Sequence, residues 1–122
     1  MKRVRTVTHR GTEIVIIDFS SMKPGPELQV VIEQGRVAIH EHELNSVLTL
    51  VDVSESEFDA EMIEALRVFA RENKPFVKAS AVVGSTGIYD MAREAIQKTS
   101  GRHFVPFSNR ERALDWLAKQ TE

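Results

Sequence analysis

Four small residues, Gly84-Ser85-Thr86-Gly87, follow an apolar run and lead straight into an amphipathic segment, so main-chain N–H groups converge where a strand hands over to a helix. Such a turn could receive an anion or a partner backbone. It lacks the lysine of a Gly-x4-Gly-Lys loop, so nothing in the turn would neutralise a nucleotide phosphate. Its glycines equally suit a tight turn with Ser85 or Thr86 capping the helix, and both readings stay open. Acidic and hydroxyl residues gather at three further places: Asp18 with Ser20, Asp52 with Ser54, and Asp59. Were Asp18 and Asp52 to end neighbouring strands, their carboxylates could hold magnesium. Strand-end aspartates more commonly bond loop N–H groups or cap helices, and that is the expectation here. His40, Glu41 and His42 are too close in sequence to converge from one helix face. No Gly-x-Ser-x-Gly elbow accompanies Ser85. No catalytic set, metal site or cofactor is expected.

The elements that position these residues can be read from periodicity. Residues 3–8 and 13–19 alternate as strands around His9-Arg10-Gly11-Thr12, a hairpin turn. Gly25-Pro26-Glu27 opens a helix, with proline where no N–H is missed and an acid at the positive dipole end. Leu28, Val31, Ile32, Gly35, Ile39 and His42 continue it at helical spacing. The nearly continuous apolar run 46–53, SVLTLVDV, fits a central strand covered on both faces. Asp59 is placed to cap the next helix, with Phe58 and Ile63 as a hydrophobic staple and Met62, Leu66, Phe69 and Ala70 as its inner stripe. Asn73 and Pro75 end it.

A strand over 76–83 precedes the Gly84 turn, and Ile88, Met91, Ala92, Ala95, Ile96 and Thr99 recur at helical spacing up to a closing Gly101. Residues 103–107 read as an edge strand. Phe107 and Ser108 then lie at the sheet edge, and Ser108 with Glu111 reads as a capping box before Ala113, Leu114 and Leu117. The order ββαβαβαβα predicts an α/β fold: a mostly parallel five-stranded sheet with one antiparallel strand and helices packed on it. Ligands of such sheets tend to gather outside the carboxyl ends of the strands. That edge carries Asp18, Ser20, Asp52, Ser54 and the Gly84 turn.

Composition narrows the function. At 122 residues the chain is read as one domain, 1–122. A formal net charge of −2 gives no basic footprint for nucleic acid, and Lys2, Arg3 and Arg5 interleave with Val4 and Val7 as in an edge strand. No cysteine is present, so thiolate catalysis and disulfides are out. No apolar run approaches the roughly 20 residues of a membrane span, and no signal-peptide core is seen, so a cytoplasmic location is expected.

The strings AVVGSTGI at 81–88, Gly101-Arg102, Phe107 and Ala113-Leu114-Asp115-Trp116-Leu117, preceded by LTLVDVSESEFDAEMIEAL and ENKPFVKASAVVG, resemble the bacterial SpoIIAA-like family, with its STAS or CRAL-TRIO-type fold. The resemblance implies a single STAS-like sandwich and a non-enzymatic regulatory or protein-interaction module. STAS relatives switch a partner interface by phosphorylating a serine that follows an aspartate at the start of the helix after the central strand. Here the matching aspartate is Asp59 and Ala60 follows it, which removes that hydroxyl, although Ser54 and Ser56 lie nearby. CRAL-TRIO relatives enclose an apolar lipid, which implies the alternative of a small-ligand domain. That ligand would be an anion or nucleotide at the GSTG turn, or an amphiphile beneath the first helix. The binding residues expected on either reading are Gly84, Ser85, Thr86, Gly87, Asp52, Ser54 and Asp59. Expected partners are a protein or a small anionic or amphiphilic ligand, and a homodimer is among the assemblies allowed.

Overall fold

Arg10 and Gly11 both take positive φ, 52° and 78°, and this two-residue turn joins β1 (Val4–His9) to β2 (Thr12–Asp18). Left-handed conformations at both central positions match the twist of the flanking strands, so β1 and β2 pair antiparallel, from Val4 with Ile17 to His9 with Thr12. The computed structural model describes residues 2–57, 59–84, 93–94, 96–98 and 100–120. After β2 come α1 (Pro26–His40), β3 (Val47–Asp52), α2 (Ala60–Asn73), β4 (Val77–Val83), β5 (Val105–Phe107) and α3 (Arg110–Lys119). Between β4 and β5 the described residues 93–94, 96–98 and 100 are helical.

One five-stranded sheet results, in the order β1-β2-β3-β4-β5, with β2 through β5 parallel. The mixed sheet and the α/β class match the sequence-based expectation. Strand periodicity of two sorts the side chains into two cores. Val15 and Ile17 of β2, Val47 of β3 and Val82 of β4 face Leu28, Val31 and Ile39 of α1 and Met62, Leu66 and Phe69 of α2. Ile14 and Ile16, Leu48 and Leu50, and Ala81 and Val83 point the other way, onto Ala113 and Leu117 of α3. Residues buried on both faces explain why β3 reads as a continuous apolar run.

Three local expectations shift. Helix α1 ends at His40, so His42 lies beyond it. The last strand is confined to Val105–Phe107. The cap of α3 is Asn109, not Ser108: Asn109 is extended, at φ −151° and ψ 163°, and its side chain accepts from Arg112 N–H at 2.9 Å. Two adjacent residues of cap-forming type make a one-position slip easy, and the capping box with Glu111 falls with it. Asp59 caps α2 as expected, accepting from Met62 N–H at 2.7 Å. Its staple partner Phe58 lies outside the described residues.

Candidate functional site

Period two also decides where the strand-end aspartates go. Asp18 continues the row Ile14-Ile16, and Asp52 continues Leu48-Leu50, so both carboxylates emerge on the α3 face, as register partners. Each accepts a main-chain N–H two residues on, Ser20 to Asp18 Oδ1 at 2.8 Å and Ser54 to Asp52 Oδ1 at 2.9 Å. These twin Asp-x-Ser turns realise the loop bonding expected from sequence. Their second oxygens converge on one guanidinium: Arg110 Nε lies 2.8 Å from Asp52 Oδ2 and an Arg110 NH2 nitrogen lies 3.1 Å from Asp18 Oδ2. A cation in the first turn of α3 opposes the helix dipole, and the two carboxylates offset that cost.

Burial disfavours the charge on Asp18, but the bonds from Ser20 and Arg110 outweigh it and hold the carboxyl below its ordinary range. For Arg110 burial likewise opposes the charge, and Asp52 with Asp18 raises its pKa. The carboxylates at this edge are therefore bound up by protein donors. Among the described residues no group of three His, Cys, Asp or Glu is placed to hold a metal ion.

Gly84 stands at φ +86°, a left-handed conformation, and a Cβ built there would lie 2.6 Å from Ser54 Cα and 2.7 Å from Ser54 N. The glycine is needed for the backbone of β4's end to pass Ser54. Ser85, Thr86 and Gly87 lie outside the described residues. The structure thus brings Gly84, Asp52 and Ser54 together, while Asp59 is committed to the N-terminus of α2. Ser56 is buried and donates its hydroxyl to Val53 O at 2.7 Å, and Ala60 is the first residue of α2.

A second site lies on the opposite face of the sheet. An apolar cavity of about 80 Å³, open on one side, is lined by Ile17, Val51 and Val82 of the sheet, Phe19 and Val53 just beyond it, Ile39 of α1, Leu66, Phe69 and Ala70 of α2, and Ile96 and Phe104. It is bounded by α2 with Arg93 and Ile96, and Ile39 is its one wall residue from α1, so it does not lie beneath the first helix, where an amphiphile was one alternative. Among the described residues its polar lining is Thr49, Asn73, Arg93 and Arg102.

Arg102 is 9% exposed, and its partners are neutral: it donates to Ala70 O at 3.0 Å and to Ser80 Oγ, and its guanidinium lies 4.7 Å from the centre of the Phe104 ring. Ser80 Oγ is also hydrogen-bonded to Thr49 Oγ1 at 2.6 Å. The carbonyl end of α2 supplies partial negative charge, and no carboxylate forms an ion pair with Arg102 among the described residues. Burial therefore pulls its pKa down to about 10, which leaves it protonated at neutral pH. Beside it, Asn73 is 1% exposed and uses its amide oxygen on His40 Nε2 at 2.9 Å, so its amide nitrogen makes no hydrogen bond among the described residues. His40 is held for this by stacking on Phe76, with ring centres 4.3 Å apart.

Sequence reasoning missed Arg110, Asn73 and the burial of Arg102. Asn73 reads as a helix stop, and nothing in the sequence singles out Arg110. Only the Gly101-Arg102 pair carried a signal, as a landmark of the family resemblance.

No protein-family model and no curated protein sequence matches this chain. Among solved structures, an uncharacterised protein of the DUF3478 family with a SpoIIAA-like fold, from Shewanella loihica PV-4, superposes with a TM-score of 0.71. It is 14% identical, and the match covers 93% of this chain and 91% of that one. At that identity the likeness is one of architecture: this chain has a SpoIIAA-like fold.

Proposed function

We propose that the protein is a non-enzymatic binding module whose ligand is a small, largely apolar molecule held in the cavity between α2 and the sheet. The observation that carries this reading is the cavity itself, about 80 Å³ in the main core layer of a small domain. Protein interiors pack to the density of organic crystals, and an unfilled space of this size costs stability. It is about half the size of an engineered core cavity that binds benzene, so the ligand is short rather than a long-chain lipid. At the other edge, the saturation of Asp18 and Asp52 by Arg110 argues against hydrolytic or metal chemistry there.

Native mass spectrometry of the protein purified gently from cells tests the reading. A small adduct that disappears on denaturation, and is reduced when Ile96→Phe fills the cavity, is the expected result. A clean mass, together with no thermal stabilisation by any small apolar probe, would sink it.

A regulatory or protein-interaction role is the second reading, and one observation favours it. Val30 and Val37, seven residues apart on α1, and Leu44 in the loop that follows are 55%, 56% and 67% exposed. Concentration-dependent light scattering tests whether these residues make a homodimer. A mass that Val37→Glu does not change removes that option.

A further inference from the structure

The cavity presents hydrogen-bond donors that lack an acceptor of matching charge. Among the described residues Arg102 is a buried guanidinium bonded only to neutral oxygens, and the amide nitrogen of Asn73 makes no hydrogen bond. Both residues line the space that Leu66, Phe69 and Val82 wall with hydrocarbon. Donors at one point and hydrocarbon elsewhere match a molecule with one anionic oxygen pair and an apolar body.

We propose that the ligand is a short aliphatic monocarboxylate of about four carbons, its carboxylate on Arg102 and Asn73 and its alkyl part against Phe69, Leu66 and Val82. This rests on the ligand-binding reading above. Volume bounds the size: about 80 Å³ admits a short chain and excludes a long acyl chain. Charge sets the head group. Folding has already stripped Arg102 of water, so a carboxylate there gains a nearly desolvated partner and loses only its own hydration. A phosphate would bring a second charge and no apolar surface, which these walls do not match.

Two consequences separate this from generic cavity filling. A neutral molecule of the same shape gains the apolar contacts and not the ion pair. Replacing Arg102 by an apolar residue removes the ion pair and keeps the walls.

The test is a titration of the full chain with isobutyrate and with its neutral isostere isobutyramide, followed by calorimetry and by the side-chain Nε–H resonances of arginine. Saturable binding of isobutyrate at least tenfold tighter than isobutyramide, a shifted Arg102 resonance, and loss of that preference in Arg102→Met are expected. Octanoate should bind more weakly than isobutyrate. Equal binding of amide and acid, or an unchanged preference in Arg102→Met, overturns the carboxylate assignment while leaving the cavity reading intact. Failure of acid, amide and cyclopentane alike overturns both. Should Arg102→Met not fold, the acid-to-amide ratio and the Arg102 resonance in the unchanged protein still decide.

Discussion

Asp18 and Asp52, 34 positions apart in the chain, face each other across β2 and β3 and share a single cation, Arg110, at 3.1 and 2.8 Å. Both carboxylates are nearly buried, with side chains 8% and 7% exposed. Arg110 thereby ties the first turn of α3 to the carboxyl edge of the sheet. Removing it leaves Asp52 without an ion pair among the described residues and Asp18 with only Arg3, 4.0 Å away, so Arg110→Gln should destabilise the fold by about 3 kcal/mol. Urea denaturation measures this. A double-mutant cycle with Asp52→Asn should show strong coupling, and additive effects would mean that the clamp contributes nothing.

The same clamp sets an acid response. Asp18 titrates below its ordinary value of 3.8 in the folded state, so its contribution is fully present above that value and is lost as pH falls through the lower, folded one. Urea midpoints measured from pH 6 to pH 2.5 should therefore fall steeply below about pH 4. The fall should be shallower in Asp18→Asn. Identical slopes for the two proteins would show that Asp18 does not carry the effect.

How much of this was visible in the chain follows from the range of each interaction. The hairpin glycine, Pro26 at the start of α1 and Asp59 at the start of α2 act within a few residues, and each is legible from its neighbours. Placement of Asp18 and Asp52 at one edge followed from the order of elements. Arg110 reaches across 58 residues to Asp52, and nothing beside it in sequence marks it as paired. Arg102 bonds Ala70 and Ser80, 32 and 22 residues away, and only folding reveals that a charged residue flanked by Gly101 and His103 is buried. The cavity is a property of packing between α2 and the sheet, and sequence periodicity carries no volume.

Gly84 allows a sharper test of the turn than its glycine-rich sequence alone. An alanine there would sit at φ +86° with its Cβ inside the contact distance of Ser54 Cα and N, both main-chain atoms that cannot swing away. Gly84→Ala should cost roughly 2–4 kcal/mol, combining left-handed strain with backbone displacement. Trimming Ser54 to glycine in the same protein should not restore stability. Full rescue by Ser54→Gly would place the clash on the hydroxyl instead.

Gly35 behaves oppositely, because its close neighbour is movable. A Cβ at Gly35 would lie 2.8 Å from Phe69 Cζ, the far end of a ring that also borders the cavity. The ring can yield into that space, and alanine in place of glycine within a helix returns about 1 kcal/mol of backbone entropy. Gly35→Ala should accordingly change stability by less than about 1 kcal/mol while shrinking the cavity. Its thermal stabilisation by small apolar or carboxylate probes should fall. The pairing of near-normal stability with lost ligand response is what distinguishes a cavity that serves binding from one left by imperfect packing. A large loss of stability would show that Phe69 is fixed, and an undiminished ligand response would place the binding site elsewhere.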